Sequence, residues 1–251
     1  MIKHKICKIL LVILAIFLCV AFYELLGICV AYKKQPEVSN TTKKETKNGS
    51  WNECSENTER AVIIEKNPEA LLQRVRLIKN AKKEIILSTF AFQSDESGKL
   101  ILGALHDAAD RGVHIRLLVD GMESWIDMEG NPYFYGLSSH ENVEIKLYNK
   151  ANPLKPWKMM GRMHDKYLIA DGKRYILGGR NTYNYFLGDF PGHKNYDRDV
   201  LVVCDEPEKE NSVNQLLEYF ETIWEQEDSG YFHDNKKLAN RKSVKNAVLE
   251  L

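Results

Sequence analysis

Residues 9–32 are apolar without a break except at Glu24, and Lys3, Lys5 and Lys8 precede them. About 20 apolar residues are enough to cross the hydrocarbon of a bilayer, so this run predicts an N-terminal transmembrane helix and makes residues 1–32 a membrane anchor. A cleaved signal peptide is the rival reading, but the run ends without a convincing small-x-small site. A carboxylate at depth is costly, so Glu24 requires some tilt or a shorter core over residues 9–23. Lysines stand on both flanks, with Lys33, Lys34, Lys43, Lys44 and Lys47 on the far side, which leaves the orientation open. Residues 33–60 are polar and have neither helical nor strand period, the pattern of a flexible linker.

Periodicity returns at residue 61. Asn67-Pro68 reads as an N-cap followed by a proline at the first helical position, and Leu71, Leu72, Val75 and Ile78 form an apolar stripe behind it. Residues 84–92 read as a buried strand. Ser97 opens a second helix that carries Leu100, Leu102 and Leu105 and stops at Gly112, and residues 113–119 are the next strand. This strand–helix–strand order favours parallel pairing through a right-handed crossover. Residues 143–147, 167–170, 175–177 and 200–203 supply further strands. Pro207 then opens an amphipathic helix to about Glu225, with Val213, Leu216, Leu217, Phe220 and Ile223 inward. The sum is an α/β fold over residues 61–227, a mixed β-sheet flanked by helices on both faces, followed by a polar tail at 228–251.

Composition narrows the chemistry. Hydrophobic residues make up 44% of the chain, enough for a sizeable core. Of the five cysteines, Cys7, Cys19 and Cys29 fall in or beside the apolar run, which leaves Cys54 and Cys204 and argues against a disulfide framework. No Cys/His spacing resembles a zinc site, and neither a metal nor a cofactor is expected. The formal net charge is zero, yet Lys146, Lys150, Lys155, Lys158, Arg162, Lys166, Lys173 and Arg174 are opposed only by Asp165 and Asp171. That local asymmetry points to an anionic substrate, with a solvated basic loop as the alternative.

Within this basic stretch lies Arg162-Met-His-Asp-Lys-Tyr-Leu-Ile-Ala-Asp171, followed by Gly178-Gly179-Arg180-Asn181. Read as a strand, it sets His164 and Lys166 on one face and Asp165 and Tyr167 on the other. An imidazole beside an ammonium suits chemistry on a phosphate: the ring attacks phosphorus or shuttles a proton, and the lysine offsets oxyanion charge. Gly178 and Gly179 would let the backbone approach a ligand, and Asn181 would add an amide donor. Taken singly, His-x-Lys is a solvated face, Asp171 a hairpin residue and the glycine pair a bulge. Asp199 has two readings, a carboxylate that orients a catalytic histidine or a strand-end residue paired with Arg198.

The assembly, His-x-Lys-x4-Asp, six residues, then Gly-Gly-x-Asn, resembles the signature of the phospholipase D superfamily. Met163-His164-Asp165-Lys166, Gly178-Gly179-Arg180-Asn181 and Asp197-Arg198-Asp199-Val200 resemble its bacterial cardiolipin synthase branch, from about Ala61 to Glu225. The resemblance implies the α/β architecture, catalytic roles for His164, Lys166 and Asp171, and substrate contacts from Arg162, Gly178, Gly179 and Asn181. It also implies a two-step, metal-free transfer. One histidine forms a phospho-histidine, while a second protonates the leaving alcohol and then activates water or another alcohol.

Members of that branch carry two motif copies in one chain, and this sequence has one. Three explanations follow: a homodimer that builds one site from two halves, a half whose complementary partner is supplied separately, or an inactive protein retained for lipid or partner binding. The expected substrate is a phospholipid and the expected location a membrane. A superfamily nuclease acting on nucleic acid is the alternative, weakened by the lack of aromatics interleaved with basic residues.

Overall fold

In the computed structural model, which describes residues 2–33, 39–40, 43–44, 59–206, 211–233 and 236–251, the chain forms two units. The first joins the N-terminal segment to residues 151–161; the second holds the remaining folded chain. Most of the expected linker lies outside the described residues.

In the first unit the apolar run forms one helix, α1 (Ile2–Lys33), long and apolar enough to cross a membrane. Residues 151–161 pack against it. Tyr23 Oη donates to Leu154 O at 2.9 Å, and Gly27 faces Pro156 of a single 3-10 turn, Pro156–Lys158.

The second unit is built on an eight-stranded mixed sheet. In chain order its elements are β1 (Glu59–Ile64), α2 (Asn67–Asn80), β2 (Glu84–Thr89), α3 (Glu96–Asp110), β3 (His114–Asp120), α4 (Gly121–Asp127), α5 (Pro132–Ser138) and β4 (Val143–Tyr148). After the 3-10 turn follow β5 (Tyr167–Ala170), β6 (Arg174–Gly178), β7 (Asp199–Cys204), α6 (Ser212–Trp224), β8 (Ser229–Tyr231), α7 (Lys236–Ala239) and α8 (Lys242–Glu250). The strand order is β1-β7-β6-β5-β2-β3-β4-β8. β2, β3 and β4 are mutually parallel, as the crossover pattern predicts; every other neighbouring pair is antiparallel.

Strand alternation sorts side chains into two cores. Ile85 and Leu87 of β2, Ile115, Leu117 and Val119 of β3, and Leu168 of β5 pack beneath Leu71, Ile78, Leu102, Leu105 and Phe134 of α2, α3 and α5. Ile86, Leu118, Tyr167 and Ile169 face the other way, toward Val213, Phe220 and Trp224 of α6. Leu216, Leu217 and Ile223 are only partly covered, and among the described residues α6 is the one helix in that second core.

Several boundaries differ from the sequence reading. Asn67 is not a cap. The cap position is Lys66, and the buried Asn67 amide donates to Asn195 O at 2.8 Å and accepts from Arg180 Nε at 3.1 Å. α3 opens at Glu96 rather than Ser97, behind Asp95, whose side chain caps it by accepting from Gly98 N. Pro207 lies outside the described residues, and α6 begins at Ser212 behind Asn211, whose side chain accepts from Asn214 N. Residues 228–251 are more than a polar tail: β8 joins the sheet edge, and Phe232, Leu238 and Val244 enter the core.

Candidate active site

The motif does not lie on a strand through its whole length. β5 starts at Tyr167, because β2, its neighbour on one side, ends its ladder at Ser88 opposite Tyr167. His164, Asp165 and Lys166 form the extended lead-in, held at one end by Met163 N donating to Asp120 Oδ2 at 3.0 Å and at the other by Gly178 N donating to Lys166 O at 3.1 Å.

The expected alternation survives in this lead-in. His164 and Lys166 meet on the ring of Phe90, His164 edge-on with centroids 4.6 Å apart and Lys166 Nζ 5.2 Å from the centroid. Asp165 faces α6 instead, accepting from Tyr219 Oη at 2.8 Å. In the sequence Phe90 read only as part of the expected strand 84–92, which in the structure ends at Thr89. It lies just beyond the C-terminal end of β2, the edge of a parallel sheet where ligands gather.

The same strand end brings in Asn181. Thr182 N donates to Ala91 O at 3.0 Å and Gln93 N to Thr182 O at 3.2 Å, which laces the segment after Gly179 to the one after β2. Asn181 Oδ1 accepts from Ala91 N at 3.3 Å, fixing the buried amide so that Nδ2 is its remaining donor.

Protonation suits the pair. Burial holds the His164 imidazole below its ordinary value, and the nearby Lys166 ammonium adds to the depression, so the ring is neutral at pH 7. Burial pushes Lys166 down to about 8, against the partial support of Asp165 and Asp197. Its Nζ donates to His164 O at 2.7 Å. A neutral imidazole beside a poorly solvated ammonium is poised for an anionic, electrophilic phosphorus.

Other residues expected at the site are engaged elsewhere. Asp171 closes the opposite end of β5 in a left-handed conformation (φ 54°), and its carboxylate accepts from the backbone N–H groups of Lys82, Lys83 and Glu84. Gly178 and Gly179 leave room for carboxylates rather than for a ligand backbone approach: a Cβ on Gly178 would collide with Asp199 and one on Gly179 with Asp197.

Asp199 pairs with neither a histidine nor Arg198. Its Oδ2 binds Arg74 Nη1 at 2.8 Å and Arg180 Nη1 at 3.2 Å in a fully buried triad, while Arg198 turns out to Glu65. Asp197, two residues from the position singled out in the sequence, is after Asp165 the second carboxylate that supports the charge of Lys166. Arg162 stacks 4.9 Å from the Phe90 centroid but is bound by Asp120 and Glu123.

The basic stretch does not converge either. Lys146 is buried and donates to Trp224 O, Lys150 donates to Tyr231 O, and Lys173 and Arg174 belong to the hairpin beyond Ala170. Among these eight, Lys166 is the cation placed against both His164 and Phe90 without a carboxylate bound to it.

Residues 74–224, more than half of the chain, match the family described as cardiolipin synthase, PLD-like domain. The chain belongs to this phospholipase D-like family. Cardiolipin synthase C of Escherichia coli is 29% identical over 171 residues, 62% of this chain and 34% of that protein. Among solved structures, the phospholipase D family member Nuc from Salmonella typhimurium superposes with a TM-score of 0.50 at 20% identity, over 70% of this chain and 99% of its own. Phosphatidylserine synthase of Haemophilus influenzae gives 0.55 at 18% identity, over 76% and 41%. Both structures share the phospholipase D-like fold with this chain. The chain spans about a third of the length of the curated relatives it matches.

Proposed function

We propose that this phospholipase D-like chain is a membrane-anchored phosphodiesterase or phosphatidyltransferase acting on phospholipids, with His164 as its nucleophile or acid/base. The observation that carries the reading is the meeting of His164 and Lys166 on Phe90, with Asn181 bound through Oδ1 to the N–H of the next residue, Ala91. An imidazole nitrogen of His164 attacks the phosphodiester phosphorus, and the bond to the leaving alcohol breaks. Lys166 and Asn181 Nδ2 hold the phosphate oxygens, and water or an alcohol then resolves the phospho-histidine. The similarity to cardiolipin synthase C supports a lipid substrate.

Attack and departure lie in line on opposite sides of phosphorus, so the group that protonates the leaving oxygen must face His164 across the phosphate. None of the other described histidines contacts Phe90 or Lys166. The second imidazole therefore comes from a second copy of the chain or a complementary half.

Trapping tests the reading. Incubation with acyl-labelled phosphatidylglycerol, acid-free quenching and mass spectrometry should find the phosphatidyl group on His164, with the headgroup glycerol released. Label on His164 from single-stranded DNA and not from lipid would move the enzyme to nucleic acid. Binding of anionic vesicles without label from either substrate would make it a non-catalytic lipid-binding protein.

A further inference from the structure

α1 has 32 residues, about 48 Å at 1.5 Å each, which exceeds the roughly 30 Å of bilayer hydrocarbon. Glu24 resists that hydrocarbon, whereas the lysines at the N-terminal end reach water along their stems. The surplus turns therefore belong to the C-terminal end, from Tyr23 onward. One face of that end is covered: Glu24, Gly27 and Ala31, spaced three and four apart, lose exposure while Leu25, Leu26, Ile28 and Val30 stay open.

The cover is the loop of residues 151–161. Besides the Tyr23 hydrogen bond to Leu154 O, a Cβ at Gly27 would stand 2.5 Å from Pro156 Cγ, so glycine is what admits the loop. Pro156 is buried, yet Leu154, Trp157 and Met160 remain 79%, 44% and 50% exposed. Lys155 and Lys158 alternate with them, and residues 151–161 contain no carboxylate. Exposed apolar side chains, a tryptophan and lysines without acid, held on the interfacial turns of a membrane helix, match a segment that lies in an anionic headgroup layer.

We infer that residues 151–161 are a membrane-interface wedge, docked on the end of α1, whose partner is an anionic phospholipid surface. The inference rests on the membrane anchoring in the proposed function and deepens it.

The full chain, reconstituted in phosphatidylcholine/phosphatidylglycerol vesicles with brominated acyl chains, tests this. Tryptophan emission of the unmodified chain minus that of Trp157→Phe isolates Trp157. Bromination should quench this difference signal at least twofold, and less strongly when phosphatidylglycerol is omitted. Gly27→Leu should keep the chain resistant to carbonate extraction and lose the quenching. An unquenched difference signal in a carbonate-resistant chain overturns the wedge and leaves the anchor standing. Release of the chain by carbonate overturns both. Quenching unchanged in Gly27→Leu overturns the docking on α1, and quenching indifferent to phosphatidylglycerol overturns the anionic partner.

Discussion

At Lys166 burial and chemistry pull against each other. The ammonium is held at about 8 by a site that solvates it poorly, and an arriving phosphate relieves the strain by supplying the missing charge. The pH dependence of kcat/KM should therefore be bell-shaped. Activity falls below neutrality as the imidazole of His164, depressed below its ordinary value, takes up a proton and can no longer attack. It falls again near pH 8 as Lys166 loses its charge. Lys166→Met should abolish the alkaline limb, and His164→Ala should lower kcat/KM by at least about 10³-fold, both read in a lipid turnover assay. Two acidic residues, two positions apart, should separate cleanly. Asp199→Ala leaves two buried guanidinium groups without their carboxylate and should cost about 3–5 kcal/mol in urea unfolding. Asp197→Asn touches the charge beside Lys166 and should change the pH profile without moving the unfolding midpoint by a comparable amount.

At the scale of the element, β5 divides the motif into a chemical end and a structural end. His164 and Lys166 precede the strand, and Asp171 follows it, gripping the N–H groups that lead into β2. Asp171→Gly keeps the left-handed turn and removes only the carboxylate. It should lower stability by about 2 kcal/mol, at about 1 kcal/mol per lost hydrogen bond less some rehydration, and leave kcat within about twofold. Differential scanning calorimetry beside the turnover assay checks both halves. The elements themselves were legible because the period-two and helical stripes dictate which faces are buried: β2, β3, β4 and β5 fall where alternation placed them to within a few residues. Their ends were not, because caps are set by single side chains with competing uses. Asn67 has the chemistry of a cap and serves Arg180 instead. The eight basic residues looked like one patch because they are near in sequence, whereas backbone carbonyls and carboxylates distant in the chain claim three of them.

For the whole molecule, the in-line displacement proposed above would make activity a property of an assembly, since among the described residues the imidazole that meets Lys166 on Phe90 is that of His164. Specific activity should fall on dilution, in step with dissociation to monomers by analytical ultracentrifugation, and full activity in a monomeric sample would refute the shared site. The sequence by itself determined the apolar helix, the alternation that makes a two-faced α/β sheet, and the type and spacing of the groups able to attack a phosphate, because these are local properties of a chain read in steps of two and 3.6. Only the tertiary structure decided which of those groups meet. The lacing of Asn181–Thr182 to the end of β2, the ring of Phe90 under His164 and Lys166, and the burial of Asp199 between Arg74 and Arg180 join residues that lie 19 to 125 positions apart, and no local period encodes such a contact.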